Sequence, residues 1–315
     1  MTSILTVTLN PALDITTAVD RVGSGTKLRC ETPRFDPGGG GINVSRAIKK
    51  LGGDSRAVAA IGGAVGKTFR SLLEDEGITA HWIGIDGATR ESFVVHEHST
   101  GLQYRFVLPG PEWHEETGLR ALEEILRLIG PGDYVVASGS LPPGLPDTFY
   151  SDLATQVSQA GARPLFDTSG RPLKLLSQQA AHPSAVHVMD EIEACQLVGC
   201  TTLEIEDARS LACKMVTSGA VGVAVITLGA RGALAISHDQ GWQVAPPLVK
   251  VDSKVGAGDS FMAALTLGLS ASWSLREALI YAMAAATSAV MTPATELCTK
   301  ASTDALRGAV TSASI

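Results

Sequence analysis

The sequence predicts an α/β protein: a largely parallel central sheet covered by helices on both faces, with a small β-sheet set apart from it. Two observations carry this. Compact apolar or β-branched runs alternate with amphipathic helical patterns along most of the 315 residues. Two segments, about 15–35 and 90–107, break that rhythm and read as antiparallel strands away from the main sheet. The length exceeds a typical single domain, yet α/β folds of this size are often one domain with an added lid, so residues 1–315 are read as one unit.

The first strand is Leu5–Leu9, and the turn-like Asn10-Pro11 that follows leads to Asp14. Beyond the first aberrant segment, Pro37-Gly38-Gly39-Gly40-Gly41-Ile42-Asn43-Val44 precedes an amphipathic run, Val44, Ala47, Ile48 and Leu51, which closes at Gly52-Gly53. Four consecutive glycines cost about 0.5 to 1 kcal/mol each relative to Ala in regular structure, so they point to unusual φ/ψ or close approach of a ligand. Asn43, on the first helical turn, offers a polyol both a donor and an acceptor.

Arg56–Ile61 is the next strand. Gly62-Gly63-Ala64-Val65-Gly66-Lys67-Thr68 resembles a P-loop, but the first required glycine would fall at Ile61, so a turn into a helix Thr68–Asp75 accounts for it and Lys67 is a surface charge. The second aberrant segment alternates Phe93 and Val95 with polar neighbours and then shows Tyr104 and Phe106. Leu119–Ile129 reads as a helix, Tyr134–Ala137 as a strand and Phe149–Ala160 as a helix. Between them, Ser138-Gly139-Ser140 and Leu141-Pro142-Pro143-Gly144 fall at the ligand-binding edge of the sheet. Pro164–Phe166, Ala185–Val188 and Val223–Thr227 continue the strands, and Thr227-Leu228-Gly229-Ala230-Arg231-Gly232 is a turn open to close backbone approach.

Leu248-Val249-Lys250-Val251 reads as a strand end, and Met262, Leu265 and Leu269 recur at helical spacing, so Gly256, Ala257 and Gly258 sit where a helix begins. Free amides and the positive end of the helix dipole attract an anion there. Asp259 beside such an anion is electrostatically costly unless it takes a proton during a reaction, as a general base does. A helix N-cap with flanking glycines is the plainer alternative. The Ala-rich stretch Tyr281–Val290 is a buried helix, too short and too polar at Thr287 and Ser288 to span a membrane.

Lys plus Arg number 25 against 32 Asp plus Glu, a formal charge of -7, which argues against a broad nucleic-acid or acidic-membrane surface. Any anion site is local. Five scattered cysteines, Cys30, Cys195, Cys200, Cys213 and Cys298, form neither a CxxC metal pattern nor a disulfide framework, which favours a reducing compartment. No export signal, internal repeat or low-complexity segment is visible, so a cytoplasmic location is expected.

Together, Asn10-Pro11-Ala12-Leu13-Asp14, the Gly38–Asn43 run and Lys254–Phe261 resemble the ribokinase-like sugar kinase family over essentially the whole chain. Thr26-Lys27-Leu28-Arg29-Cys30, Tyr104-Arg105-Phe106-Val107, and Gly40 where fructose-1-phosphate and tagatose-6-phosphate kinases usually carry Lys, most resemble its minor bacterial 6-phosphofructokinase subgroup. The resemblance implies that the small sheet is a lid over the sugar and a homodimer contact. It implies a sugar site of Asp14, Gly38, Gly39, Gly40, Gly41, Asn43 and Gly139, with Lys27, Arg90 and Arg105 meeting a sugar phosphate. Thr227, Gly229, Ala230, Arg231, Gly232 and Lys254 would contact ATP, and Mg²⁺ would lie near Asp190 and Glu193. Asp259 would act as base, with Gly256, Ala257 and Gly258 as the anion hole.

Two departures stand out. Relatives read Lys-Pro-Asn where this chain has Val188-Met189-Asp190, with Glu193 retained. Thr292, Pro293, Ala294 and Glu296 differ from the polar, glycine-rich pattern around the family's monovalent-cation site, which leaves that site open. The activity implied is phosphorylation of fructose 6-phosphate to fructose 1,6-bisphosphate by ATP. Fructose-1-phosphate and tagatose-6-phosphate kinase are the enzymatic alternatives. A sugar-phosphate or nucleotide sensor with little turnover is the alternative of another class: Asp259 argues for chemistry, Val188 for weakened nucleotide handling.

Overall fold

The computed structural model describes residues 2–178, 184–293 and 296–315. Seven strands run parallel in the order β5 (Thr79–Gly84), β4 (Arg56–Ile61), β1 (Ile4–Thr8), β8 (Tyr134–Ser138), β9 (Arg163–Asp167), β10 (Ser184–Asp190) and β11 (Val221–Thr227). The sheet then continues antiparallel through β12 (Ala233–Ser237), β13 (Gly241–Ala245) and β14 (Thr311–Ser314), making ten strands.

Both faces of the central strands are apolar because helices cover both. On one face, Ile4, Val136, Leu165, Val186 and Val225 pack against α1 (Gly40–Lys50), α8 (Ala257–Ser270) and α9 (Leu275–Val290). Phe69 and Leu73 of α2 (Gly63–Asp75) extend that layer over Ala57 and Ala59, and α10 (Lys300–Arg307) packs on α9. The opposite face buries Leu5, Val7, Val135 and Phe166 under α3 (Glu115–Arg127), α4 (Phe149–Gln159) and α5 (Gly170–Leu176). Further along that face, Ala224 and Ile226 meet α6 (Glu191–Val198) and α7 (Ile205–Thr217).

The small sheet is separate, as expected, with order β3 (Arg34–Gly38), β2 (Ala12–Val19), β6 (Arg90–Glu97), β7 (Gln103–Val107). It is not wholly antiparallel. β2 pairs parallel with β6, because the chain returns to it only after crossing β4, α2 and β5. The stretch between β2 and β3 carries no strand, so the expected 15–35 segment is two strands with an exposed irregular connection.

Two further expectations fail locally. Leu248–Val251 is not a strand end: Pro246 and Pro247 lack backbone donors, and Leu248 projects fully into solvent. Residues 63–68 are not a turn but the first turns of α2, because Gly63 takes a left-handed φ of 67° and the Gly66 amide bonds to the Gly62 carbonyl at 3.1 Å. None of the described helices is long and apolar enough to cross a membrane.

Candidate active site

The parallel strands end together in polar residues: Thr8 on β1, Ser138 on β8, Asp167 on β9, Asp190 on β10 and Thr227 on β11. Ser138 lies in register with Asp167, and Asp190 with Thr227. In an open α/β sheet this carboxyl edge is where ligands bind. The N-termini of α1 and α8 converge on it.

The four glycines of the first motif are required by crowding. A Cβ on Gly38 would overlap the Asp14 carboxylate, one on Gly40 would overlap Ser138, and one on Gly41 would overlap the Val7 carbonyl. Gly39, the N-cap of α1, has φ 115°, a conformation that L side chains rarely adopt. The helix is then anchored by Thr8, whose Oγ1 accepts from the Ile42 amide at 2.9 Å. This places Asn43 so that its Nδ2 donates to Asp259 Oδ2 at 3.0 Å, while its Oδ1 accepts from Arg46 Nη1 at 3.3 Å. Arg46, 5% exposed, is itself fixed by Glu76 at 2.7 Å and by the Pro37 carbonyl at 3.2 Å. Thus the second motif is joined to the first through a chain of buried polar contacts.

At the second motif, Gly256 is the N-cap of α8 with φ 76°, and a Cβ there would overlap the Leu297 side chain. The first helical bond runs from the Ser260 amide to the Gly256 carbonyl, 2.9 Å, so the amides of Ala257, Gly258 and Asp259 precede the hydrogen-bonded ladder. Burial pushes the Asp259 carboxyl up to about 6, against the lowering pull of the Asn43 hydrogen bond and of the Arg46 and Arg105 charges. Asp14 is also raised to about 6 by burial, and there Arg90 and Arg105 pull downward. Arg105 therefore acts electrostatically on both carboxylates. Arg90 is oriented by two carbonyls, Asn10 at 3.1 Å from Nε and Leu108 at 3.2 Å from Nη1.

Two clefts flank this junction. One, of about 660 Å³, is lined by Arg90 with Asn10, Ser140 and Pro142. The other, of about 530 Å³, is lined by Thr227, Gly229, Ala230, Gly232 and Lys254, with Ala257 and Gly258 at its inner end and apolar Phe261, Met283 and Val290 behind. Gly139, with φ 110°, faces the amide of Gly40, and its carbonyl accepts from Tyr150 and Thr168 at 3.1 Å each.

Some expected residues stand elsewhere. Arg231 is turned aside, with Nη2 on Glu191 at 2.7 Å and Nη1 on the Leu203 carbonyl at 2.9 Å, and it does not line the cleft. Lys27 is exposed on the irregular stretch between β2 and β3. Val188 is enclosed in the core, 4% exposed, one side-chain step below Asp190 on the same face of β10. Of the residues expected near a monovalent-cation site, Ala294 lies outside the described residues. Thr292 donates to the Leu297 carbonyl at 3.1 Å, and Glu296 meets Arg34 of β3 at 3.5 Å.

Asp190 and Glu193 form a reciprocal capping box at the start of α6, each accepting the other's amide at 2.8 Å. One oxygen of each is thereby engaged and one is left over. Sequence reasoning missed Asp167, which shares this edge: burial holds its carboxyl well above the usual range, and the charges of Asp259, Glu193 and Asp190 push the same way. Glu193 is raised to about 7, chiefly by burial. Carboxylates that penalise one another's ionisation match the donor chemistry of a hard cation. Among the described residues no three acidic, His or Cys side chains form a cluster able to hold an ion directly. A lone acid closing an apolar strand was the available signal for Asp167.

The pfkB family carbohydrate kinase profile matches residues 7–302. The chain is 39% identical over 297 residues to the ATP-dependent 6-phosphofructokinase isozyme 2 of Mycobacterium tuberculosis, covering 94% of this chain and 86% of that one. It is 39% identical over 298 residues to the Escherichia coli isozyme 2, covering 95% and 96%. The crystal structure of Escherichia coli phosphofructokinase-2 in complex with potassium superposes with a TM-score of 0.93 at 37% identity, covering 98% and 99%.

Proposed function

The chain belongs to the pfkB family of carbohydrate kinases, and from that premise we propose that it transfers the terminal phosphoryl group of ATP to the C1 hydroxyl of fructose 6-phosphate. The observation that carries this reading is Asp259: an enclosed carboxyl raised to about 6, held by Asn43 at 3.0 Å, directly on the free amides that open α8. Near neutral pH it is ionised and ready to accept the hydroxyl proton, a contribution of about 10² to 10⁴ in rate. The amides of Ala257, Gly258 and Asp259 stabilise charge on the transferred group, whose barrier is lowered chiefly by such electrostatics.

Support for a sugar phosphate comes from Arg90 and Arg105, whose charges act on Asp14 and, for Arg105, on Asp259 as well. Asp14, Asn43 and the glycine backbone of α1 would take the hydroxyls, with Gly139 as wall and Lys27 as a further phosphate contact. Gly40 has no room for a side chain beside Ser138, which favours the 6-phosphate substrate over those of relatives carrying Lys there. ATP would occupy the cleft of Thr227, Gly229, Ala230, Gly232 and Lys254, its base against Met283 and Val290. Asp167, Asp190 and Glu193 at the acidic edge would hold Mg²⁺, which when bound would supply neutralisation of the nucleotide phosphates.

Residues 1–315 are read as one kinase domain with the small sheet as lid, in the cytoplasm. The exposed apolar Phe35, Leu102, Phe106 and Val107 of that sheet and its connections support pairing of two chains there. A coupled assay of the purified protein against hexose phosphates, with ATP and GTP as donors, tests the assignment. Turnover is expected with fructose 6-phosphate and ATP. Preference for fructose 1-phosphate or tagatose 6-phosphate would replace the substrate, and binding without turnover would make the protein a sensor.

A further inference from the structure

Helix α6 ends at Val198, and the chain doubles back at Gly199 with a left-handed φ of 75°. The amides of both Gly199 and Cys200 then donate to the Cys195 carbonyl, at 2.8 and 3.0 Å. The second of these bonds spans six residues, as in a Schellman motif, and that motif presses together the side chains at its two ends. Apolar residues ordinarily fill those places. Here both are cysteines, and the Cys200 thiol donates to Cys195 Sγ at 3.0 Å.

All five cysteines are free, and this contact is the one thiol pair among the described residues. Its two members differ in access. Cys195 is buried in the core between α6 and α7, whereas Cys200 is half-buried at the turn. Cys200 is therefore the sulfur that an oxidant in solution meets first, with Cys195 beside it as a reservoir.

We propose that Cys195 and Cys200 form a modification site for hydroperoxides, closing to an internal disulfide across the C-terminal end of α6. In the first step the Cys200 thiolate attacks one peroxide oxygen, the O–O bond breaks, and Cys200 becomes a sulfenic acid as hydrogen peroxide is reduced to water. In the second, Cys195 loses its proton and attacks the Cys200 sulfur; the S–S bond forms, the S–O bond breaks, and a second water leaves. Two thiols and one hydrogen peroxide thus yield one disulfide and two waters. The two sulfurs already lie 3.0 Å apart, so closure needs little more than side-chain rotation.

The site is testable without reference to kinase activity. The full-length protein is treated with one equivalent of hydrogen peroxide, alkylated with N-ethylmaleimide and digested with trypsin. The fragment from Leu175 to Arg209 contains these two cysteines and no others. The expected result is an unalkylated fragment lighter by two hydrogens, which dithiothreitol followed by fresh N-ethylmaleimide converts to the doubly alkylated form. Cys195→Ser should leave a sulfenic acid on Cys200 that dimedone traps, and Cys200→Ser should leave Cys195 alkylatable after the same treatment. Exposed Cys30 is an internal control for general reactivity. A doubly alkylated fragment after Cys30 has been oxidised, or dimedone capture at Cys195 in the Cys200→Ser protein, would overturn the proposal. Circular dichroism of both variants separates these outcomes from misfolding.

Discussion

Replacing Asn43 by Ala should move the acidic limb of the pH–rate profile upward. Asn43 Nδ2 donates to Asp259 Oδ2 at 3.0 Å, and this bond opposes the burial that lifts the carboxyl to about 6. A hydrogen bond to a charged group contributes about 1.5 to 3 kcal/mol, and 1.36 kcal/mol corresponds to one pKa unit, so its loss should raise Asp259 by about one to two units. Arg46 also loses an acceptor at 3.3 Å but keeps Glu76 and the Pro37 carbonyl, so its charge stays in place. The assay is kcat/KM for fructose 6-phosphate from about pH 5 to pH 9, which reports the base in the free enzyme. A limb near 6 in the parent should shift to between about 7 and 8 in the variant. Any lost sugar contact lowers the whole curve without moving the limb. A limb that stays put would show that Asp259 does not control it, or that Asn43 does not hold Asp259 in solution.

Asp259→Asn should reduce kcat by about 100-fold or more with little change in substrate binding, and near-normal turnover in a steady-state assay would remove Asp259 from the mechanism. Arg90→Ala and Arg105→Ala should each raise KM for fructose 6-phosphate far more than KM for ATP; equal effects on both substrates would contradict their placement. Val188→Lys with Asp190→Asn should tighten ATP binding by titration calorimetry while lowering Tm, because the lysine must cross the core around Val188 to reach the cleft and Asn still caps α6. Unchanged or weaker affinity would show that another group serves the phosphates. His187, fully buried with both ring nitrogens unpartnered, is held neutral down to about 3 against an ordinary 6.5. The unfolded chain alone binds that proton between these values, so His187 supports the fold above 6.5 and costs stability as pH falls toward 3. His187→Leu should therefore gain about 2 kcal/mol relative to the parent between pH 7.5 and pH 5 in urea titrations. An identical difference at both pH values would refute this.

The core strands were legible because parallel strands covered on both faces leave unbroken apolar runs, as at Arg56–Ile61 and Val221–Thr227. The two glycine motifs were legible because crowding at Gly38, Gly41 and Gly256 forbids a side chain. Less was visible where a residue's role depends on remote partners. β14, Thr-Ser-Ala-Ser, has no apolar signature and exists because β13 pairs with it. The parallel pairing of β2 with β6 depends on where the chain returns, not on local composition. Arg231 reads as a phosphate contact in a glycine turn, yet Glu191 and the Leu203 carbonyl take its guanidinium. Asp190 and Glu193 read as ion ligands, yet their spacing is also that of a capping box, and the helix uses it.

β3 ends at Gly38 and α1 begins at Gly40, so one residue, Gly39, separates the small sheet from the helix that carries Asn43. On the other side, three residues separate β1 from β2. Such short splices leave no slack: a tilt of the sheet is transmitted as torque on the first turn of α1, where Asn43 grips Asp259. On the proposed function, sugar occupancy and the alignment of Asp259 then become a single mechanical coordinate. The crowding that forbids a side chain at Gly39 is what keeps that coupling stiff.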